Sequence, residues 1–142
     1  MFSPNTKFLV VDDFATMRKI VKKVLDELGY KNVVEAVDGK NALDLMNEHH
    51  SKNEPIQFVI SDWNMPNMLG IDLLKSCRAD DKFKTVPFML VTAESEQTQI
   101  IDAAKAGVSE YVIKPFNAAT LKTKIERVYQ KVSAAAPTAK AG

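Results

Sequence analysis

The sequence holds one cysteine, Cys77, so no internal disulfide can form and a reducing compartment is the expected setting. An excess of one charge is missing too. Nineteen basic residues stand against 18 acidic ones, a formal net of +1, which removes the electrostatic case for nucleic acid or an anionic membrane as main partner. No apolar run approaches the ~20 residues that cross a bilayer. Residues 1–7 lack the basic-then-apolar pattern of a secretory signal. Glycine numbers only 5, and no Gly-rich phosphate loop follows the first apolar run, which argues against a nucleotide-binding fold. The expectation left by these absences is a cytoplasmic, single-domain chain with no nucleic-acid or membrane role.

What is present is an ordinary globular composition, 46% apolar and 26% charged over 142 residues, enough to bury a core. Short apolar runs alternate with amphipathic stretches five times. Residues 7–11 read as a buried strand stopping at Asp12 and Asp13. Met17, Ile20, Val21, Val24, Leu25 and Leu28 then fall on one helical face, and Gly29 ends it. Residues 32–36 form a second strand, and Asp38-Gly39 opens a helix with Ala42, Leu43 and Met46 inward. That helix is expected to give way to a polar loop at 48–55. A third strand, 58–61, delivers Asp62, and Leu73, Leu74 and Cys77 mark the helix after it. Residues 87–91 lead to Thr92, residues 96–106 form a small-residue helix closed by Gly107, and 110–113 lead to Lys114-Pro115. Asn117 caps a last helix whose Leu121, Ile125, Val128 and Val132 face inward. Residues 1–132 make the domain, and 133–142, Ala-rich with one Pro, read as a disordered tail.

Strand and helix in alternation imply an α/β, doubly wound, five-stranded parallel sheet with five helices. The continuously apolar runs Phe8 to Val11 and Phe58 to Ile60 agree, because parallel strands are covered on both faces. Asp12, Asp13, Asp62, Thr92 and Lys114 each stand where a strand stops. Ligands of open parallel sheets bind beyond those carboxyl ends, so the five converge. Three carboxylates together repel unless a cation joins them, and a hard divalent ion with oxygen ligands points to Mg²⁺. A carboxylate beside Mg²⁺, an ammonium and a hydroxyl is placed to attack a phosphoryl group. Taken alone, Asp12 and Asp13 are equally consistent with capping the first helix.

The segments Val10-Val11-Asp12-Asp13, Ser61-Asp62-Trp63-Asn64-Met65-Pro66, Val91-Thr92-Ala93 and Val112-Ile113-Lys114-Pro115-Phe116 resemble the signature segments of bacterial response-regulator receivers. Asp12 to Arg18, Trp63 to Met68 and Pro115 to Leu121 resemble the chemotaxis members of that family, and the likeness covers about residues 7–132. It implies a flavodoxin-like strand order 2-1-3-4-5 and a monomeric signalling module rather than a turnover enzyme. Asp62 is then the phosphoacceptor of a histidine kinase. Asp13, Asp62 and the backbone carbonyl of Asn64 coordinate Mg²⁺, with Asp12 acting largely through water. Thr92 and Tyr111 form the switch, Lys114 bridges to the phosphoryl group before a cis Lys114-Pro115 bond, and Trp63 reports metal binding. Asn64 and Glu94 set the phosphate lifetime. The face of helix 4, strand 5 and helix 5 addresses the flagellar motor switch protein, and a dedicated phosphatase is a further partner.

Several positions depart from the family pattern. Leu69 replaces an acidic residue before Gly70, Glu96 and Gln97 stand where lysines are common, and the stretch 48–57 is long. The competing functions are a stand-alone receiver in a phosphorelay, a hydrolase with an aspartyl-phosphate intermediate, and a nucleotide-binding fold. The hydrolase is disfavoured because the accepting Asp follows the third strand, without the Asp-x-Asp such phosphatases carry after the first. Tyr111 has a plain alternative as half-buried packing, and Trp63 as a surface hydrophobe. Cys77 reads as core. His49 and His50, being adjacent, do not face one another on a helix and make no metal site. Arg18, Lys19, Lys22 and Lys23 read as a solvated face.

Overall fold

Five strands and five helices alternate along the chain in a computed structural model that describes residues 2–93 and 97–141, without the side chains of Gln97 and 133–141. They are β1 (Phe8–Val11), α1 (Ala15–Glu27), β2 (Val33–Ala36), α2 (Gly39–Ser51), β3 (Phe58–Asp62), α3 (Gly70–Ala79), β4 (Phe88–Thr92), α4 (Gln97–Lys105), β5 (Glu110–Ile113) and α5 (Ala118–Ala141). All strand pairs are parallel, in the order β2-β1-β3-β4-β5. Fold class and order are therefore those the sequence and the family resemblance predict.

Each strand residue faces one side or the other, so the sheet has two cores. Leu9, Val11, Val59 and Leu90 meet Met46 of α2, Leu74 and Cys77 of α3 and Ala103 of α4. Phe8, Val10, Phe58, Ile60 and Met89 meet Val21, Val24 and Leu25 of α1 and Leu121, Ile125 and Val128 of α5. Each such side chain removed from water stabilises the fold by about 1.5–3 kcal/mol. The three middle strands, β1, β3 and β4, are buried along their whole length. Asp12, Asp62 and Thr92 stand at their carboxyl ends, and that places the site.

The breaks between elements have local causes. Gly29 (φ +94°) and Gly107 (φ +89°) take the left-handed backbone that ends α1 and α4. Asp38 caps α2 by accepting the Asn41 N–H at 2.8 Å, and Asn117 caps α5 by accepting the Thr120 N–H at 2.8 Å.

Four expectations need correction. The α2 helix does not give way at 48 but runs to Ser51. Its last turn is held by the Lys52–Glu48 ion pair at 3.1 Å and closed by Asn53 at φ 64°, whose N–H donates to His50 O. Ile20 is 46% exposed rather than inward. It lines an open apolar cleft with Met17, Pro115 and Phe116, beyond the reach of the sheet. Val132 is exposed as well, because α5 has by then passed the sheet's lower end, where Phe2 packs edge-on against Phe58 and Tyr129. Trp63, whose plain reading was a surface hydrophobe, is buried. The α5 backbone continues beyond Val132 to Ala141. The side chains of the tail expected at 133–142 lie outside the described residues.

Candidate functional site

Asp12 follows β1 directly and is pulled into the sheet's rim by its N–H, which donates to Ala36 O at 3.1 Å. Its carboxylate is 4% exposed and accepts the Phe14 N–H at 2.9 Å. It does not cap α1, whose N-cap is Phe14 with no side-chain cap bond, so the capping alternative falls away. Asp13 is exposed beside it. Asp62 is the last residue of β3 and nearly buried. The loop after it doubles back, with Gly70 N–H donating to Trp63 O at 2.8 Å. Glycine at 70 is required by close approach, since a Cβ there would collide with the Asp62 carbonyl oxygen.

One carboxylate oxygen from each of Asp12, Asp13 and Asp62 lies within 4.8 Å of the others. Lys114 Nζ donates to Asp62 Oδ1 at 2.9 Å and stands 4.0 Å from Asp12 Oδ2. The Lys114 N–H also donates to Thr92 O at 2.7 Å, which ties the ends of β4 and β5 together. Thr92 is fully buried. Tyr111 is half-buried, its ring edge-on to Trp63 at 6.3 Å. The Lys114–Pro115 peptide is cis. The side chains of Asp12, Asp13, Asp62 and Lys114 thus come together, and Thr92 is tied to them through its backbone carbonyl. Asn64 is exposed two positions beyond Asp62. Glu94 and Glu96 lie outside the described residues, as does the Gln97 side chain.

One ammonium does not balance three carboxylates. Burial, reinforced by the negative charges of Asp62 and Asp13, pushes the Asp12 carboxyl up to about 6, against the lowering effects of the Phe14 N–H and Lys114. Burial likewise raises Asp62, although the Lys114 hydrogen bond and charge pull the other way. A cluster of oxygen donors that is costly to ionise by itself fits a hard divalent cation.

Sequence reading missed two contacts of residues taken for solvated surface. Arg18 Nη1 donates to Asp12 O at 2.7 Å and its Nε to Glu35 Oε1 at 3.0 Å. His49 and His50 indeed diverge. His49 Nδ1 lies 3.0 Å from Lys7 Nζ at the far end of the sheet, and His50 meets the Phe83 ring. Among the described residues, no helix is long and apolar enough to cross a membrane.

A parallel sheet carrying this acidic cluster and lysine at its carboxyl edge is the architecture of a signalling receiver. Residues 8–126 match the model of the response regulator receiver domain, and the chain belongs to that family. Among its relatives are chemotaxis proteins. It is 51% identical over 127 residues to the chemotaxis protein CheY of Pseudomonas aeruginosa, covering 89% of this chain and 98% of that one. It is 48% identical over 132 residues to CheY-3 of Vibrio cholerae, covering 93% and 98%. The solved structure of CheY4 of Vibrio cholerae superposes with a TM-score of 0.76 at 31% identity, over 87% of this chain and 98% of that one. The chain is therefore the receiver domain of a CheY-like chemotaxis response regulator. Receivers of this type take phosphate from histidine kinases.

Proposed function

We propose that this protein is a single-domain chemotaxis messenger that accepts phosphate on Asp62 from a histidine kinase and carries it to the flagellar motor switch. The observation that carries the reading is the Lys114 Nζ contact with Asp62 Oδ1 at 2.9 Å inside a three-carboxylate cluster. An Asp62 oxygen attacks the phosphorus of a phosphohistidine. The P–N bond breaks as the P–O bond forms, and the imidazole leaves with the electron pair. Lys114 meets the transferred oxygens, and the Thr92 hydroxyl donates to one of them. Asp12, Asp13 and Asp62 would hold Mg²⁺ with the Asn64 carbonyl. When bound, the ion neutralises charge that develops on the phosphoryl group. Asn64 and Glu94, at the rim, set how readily water removes the phosphate. The module phosphorylates and dephosphorylates itself and turns over no other substrate. Its setting is the cytoplasm, as a monomer, with a dedicated phosphatase as a further partner.

Output follows from a two-state argument. A phosphoryl group adds charge and acceptor oxygens that Thr92 and Lys114 satisfy by moving toward it. The Tyr111 ring turns into the space so left, reshaping the face of α4, β5 and α5, where Ile100, Ile101 and Ile113 are already exposed. Coupling of ~1–3 kcal/mol corresponds to roughly 5- to 150-fold in affinity. Isothermal titration of the host's switch-protein N-terminal peptide, with and without beryllofluoride, tests this. Tighter binding in the beryllofluoride state is expected. Equal affinity would reject the motor messenger in favour of a phosphorelay receiver, leaving the Asp62 chemistry standing.

A further inference from the structure

The exposed Asp13 carboxylate makes no hydrogen bond or ion pair among the described residues, so beyond its own rotamers only the backbone sets where it can point. That backbone is held at one peptide. The Asp12 carbonyl belongs to the same rigid plane as the Asp13 nitrogen, and turning the plane swings the Asp13 side chain. The Asp12 carbonyl accepts from Arg18 Nη1 at 2.7 Å, a charge-assisted bond from a side chain only 15% exposed. Arg18 is held at a second point, its Nε donating to Glu35 Oε1 at 3.0 Å. Glu35 is itself held by Lys22 Nζ at 3.0 Å. Glu35 lies on β2 opposite Val10 of β1, so the planar guanidinium fork spans from α1 to β2 across the end of the strand that carries the acids.

We propose that Arg18 is a positioning residue for the acidic cluster, fixing the Asp12–Asp13 peptide so that Asp13 is presented to magnesium. The inference rests on the metal reading above and goes beyond it by naming what orients the ligands. Its test turns on a sign. A guanidinium near a dication repels it, so by field alone its removal tightens Mg²⁺ binding. A residue that merely stabilises the fold lowers the melting temperature and leaves the affinity of the folded protein unchanged. A positioning residue weakens binding, as outer partners of metal ligands do, by about 10- to 100-fold when lost.

The experiment is isothermal titration of Mg²⁺ into the intact chain, well below the melting temperature, for wild type, Arg18→Ala, Arg18→Lys and Glu35→Gln. About tenfold weaker binding is expected for Arg18→Ala. Arg18→Lys keeps the charge but cannot span both partners, and should lose affinity several-fold. Glu35→Gln still accepts from Arg18 and should bind nearly as wild type. A wild type that binds no Mg²⁺ would overturn the metal reading itself. A wild type that binds, with Arg18→Ala equal or tighter, would overturn only the role of Arg18. If Arg18→Ala does not fold, unchanged affinity in Arg18→Lys overturns it equally.

Discussion

Replacing Asp12 by Asn should stabilise the metal-free protein. Asp12 carries the largest electrostatic liability at the site, because its carboxyl is pushed from 3.8 up to about 6 by burial and by the neighbouring acids. The groups that face it are Asp62, Asp13, Lys114 and the Phe14 N–H, with Arg18 on its carbonyl. A carboxyl raised in the folded state binds more protons there than in the unfolded chain. Stability from this group is therefore fully present below about pH 4 and is lost as pH rises toward about 6. Keeping that carboxylate ionised in the folded chain costs on the order of 3 kcal/mol at pH 7.5. The asparagine removes the charge yet keeps an oxygen that can accept the Phe14 N–H. At ~3 °C per kcal/mol for a chain of this size, its melting temperature in EDTA should rise by up to about 10 °C. At pH 4.5, where most folded wild type is already protonated at Asp12, the same linkage leaves a gain of only about 1 kcal/mol. Added Mg²⁺ at 100 times its Kd should stabilise wild type by about 2.7 kcal/mol, and the variant by less. Thermal melts at both pH values, with EDTA or Mg²⁺, check all of this. A variant that melts no higher than wild type at pH 7.5 in EDTA, or whose gain is as large at pH 4.5, would refute the reasoning.

Three further outcomes follow from the same geometry. Asp62→Asn should take up no mass from acetyl phosphate and Mg²⁺; wild-type labelling in intact-mass spectra would remove Asp62 as acceptor. Gly70→Ala should cost about 1–3 kcal/mol in urea unfolding, because its methyl collides with the Asp62 carbonyl and forces the loop outward; unchanged stability would mean that the 63–70 loop yields freely. Thr92→Ala should reduce the difference in peptide affinity between beryllofluoride-bound and free protein more than it slows labelling; the reverse order would place Thr92 in the transfer step rather than in the switch.

The site was legible in the sequence because a buried parallel strand writes itself as a continuous apolar run, and its end is where the run meets charge. Asp62 after Phe58-Val59-Ile60-Ser61 is such an end, and so is Asp12 after Val11. What periodicity does not encode is where the sheet stops. Ile20 belongs to the apolar stripe of α1 but lies past its cover, and Val132 repeats the case on α5. Contacts from a side chain to a distant carbonyl are equally silent. Arg18 reaching Asp12 O looks like one more basic residue on a wet helix face. Arg78 gathers the carbonyls of Phe83 (3.4 Å), Lys84 (3.2 Å), Val86 (2.7 Å) and Gly107 (2.9 Å), and the turn so made buries Phe83 in a stretch that reads as polar.

The cost of the cluster is itself informative about the switch. Two apolar cores pack β1, β3 and β4 together, which keeps the strand ends that carry Asp12 and Asp62 side by side. Lys114 relieves part of their repulsion, and a bound cation would relieve the rest. On the proposed reading, phosphate on Asp62 brings a further ≈ −1.5 to −2 charges to that rim. With Asp12 already raised to about 6 in the free protein, added negative charge drives it further up unless a cation is held. Metal and phosphate are then thermodynamically linked, each strengthening the other by the same factor. Lys114 is the protein's own contact to this balance, hydrogen-bonded to Asp62 before transfer and tied through its backbone to Thr92. On that reading, a change of charge at Asp62 is passed to the ends of β4 and β5 through one side chain and one backbone bond, and Tyr111 lies on β5.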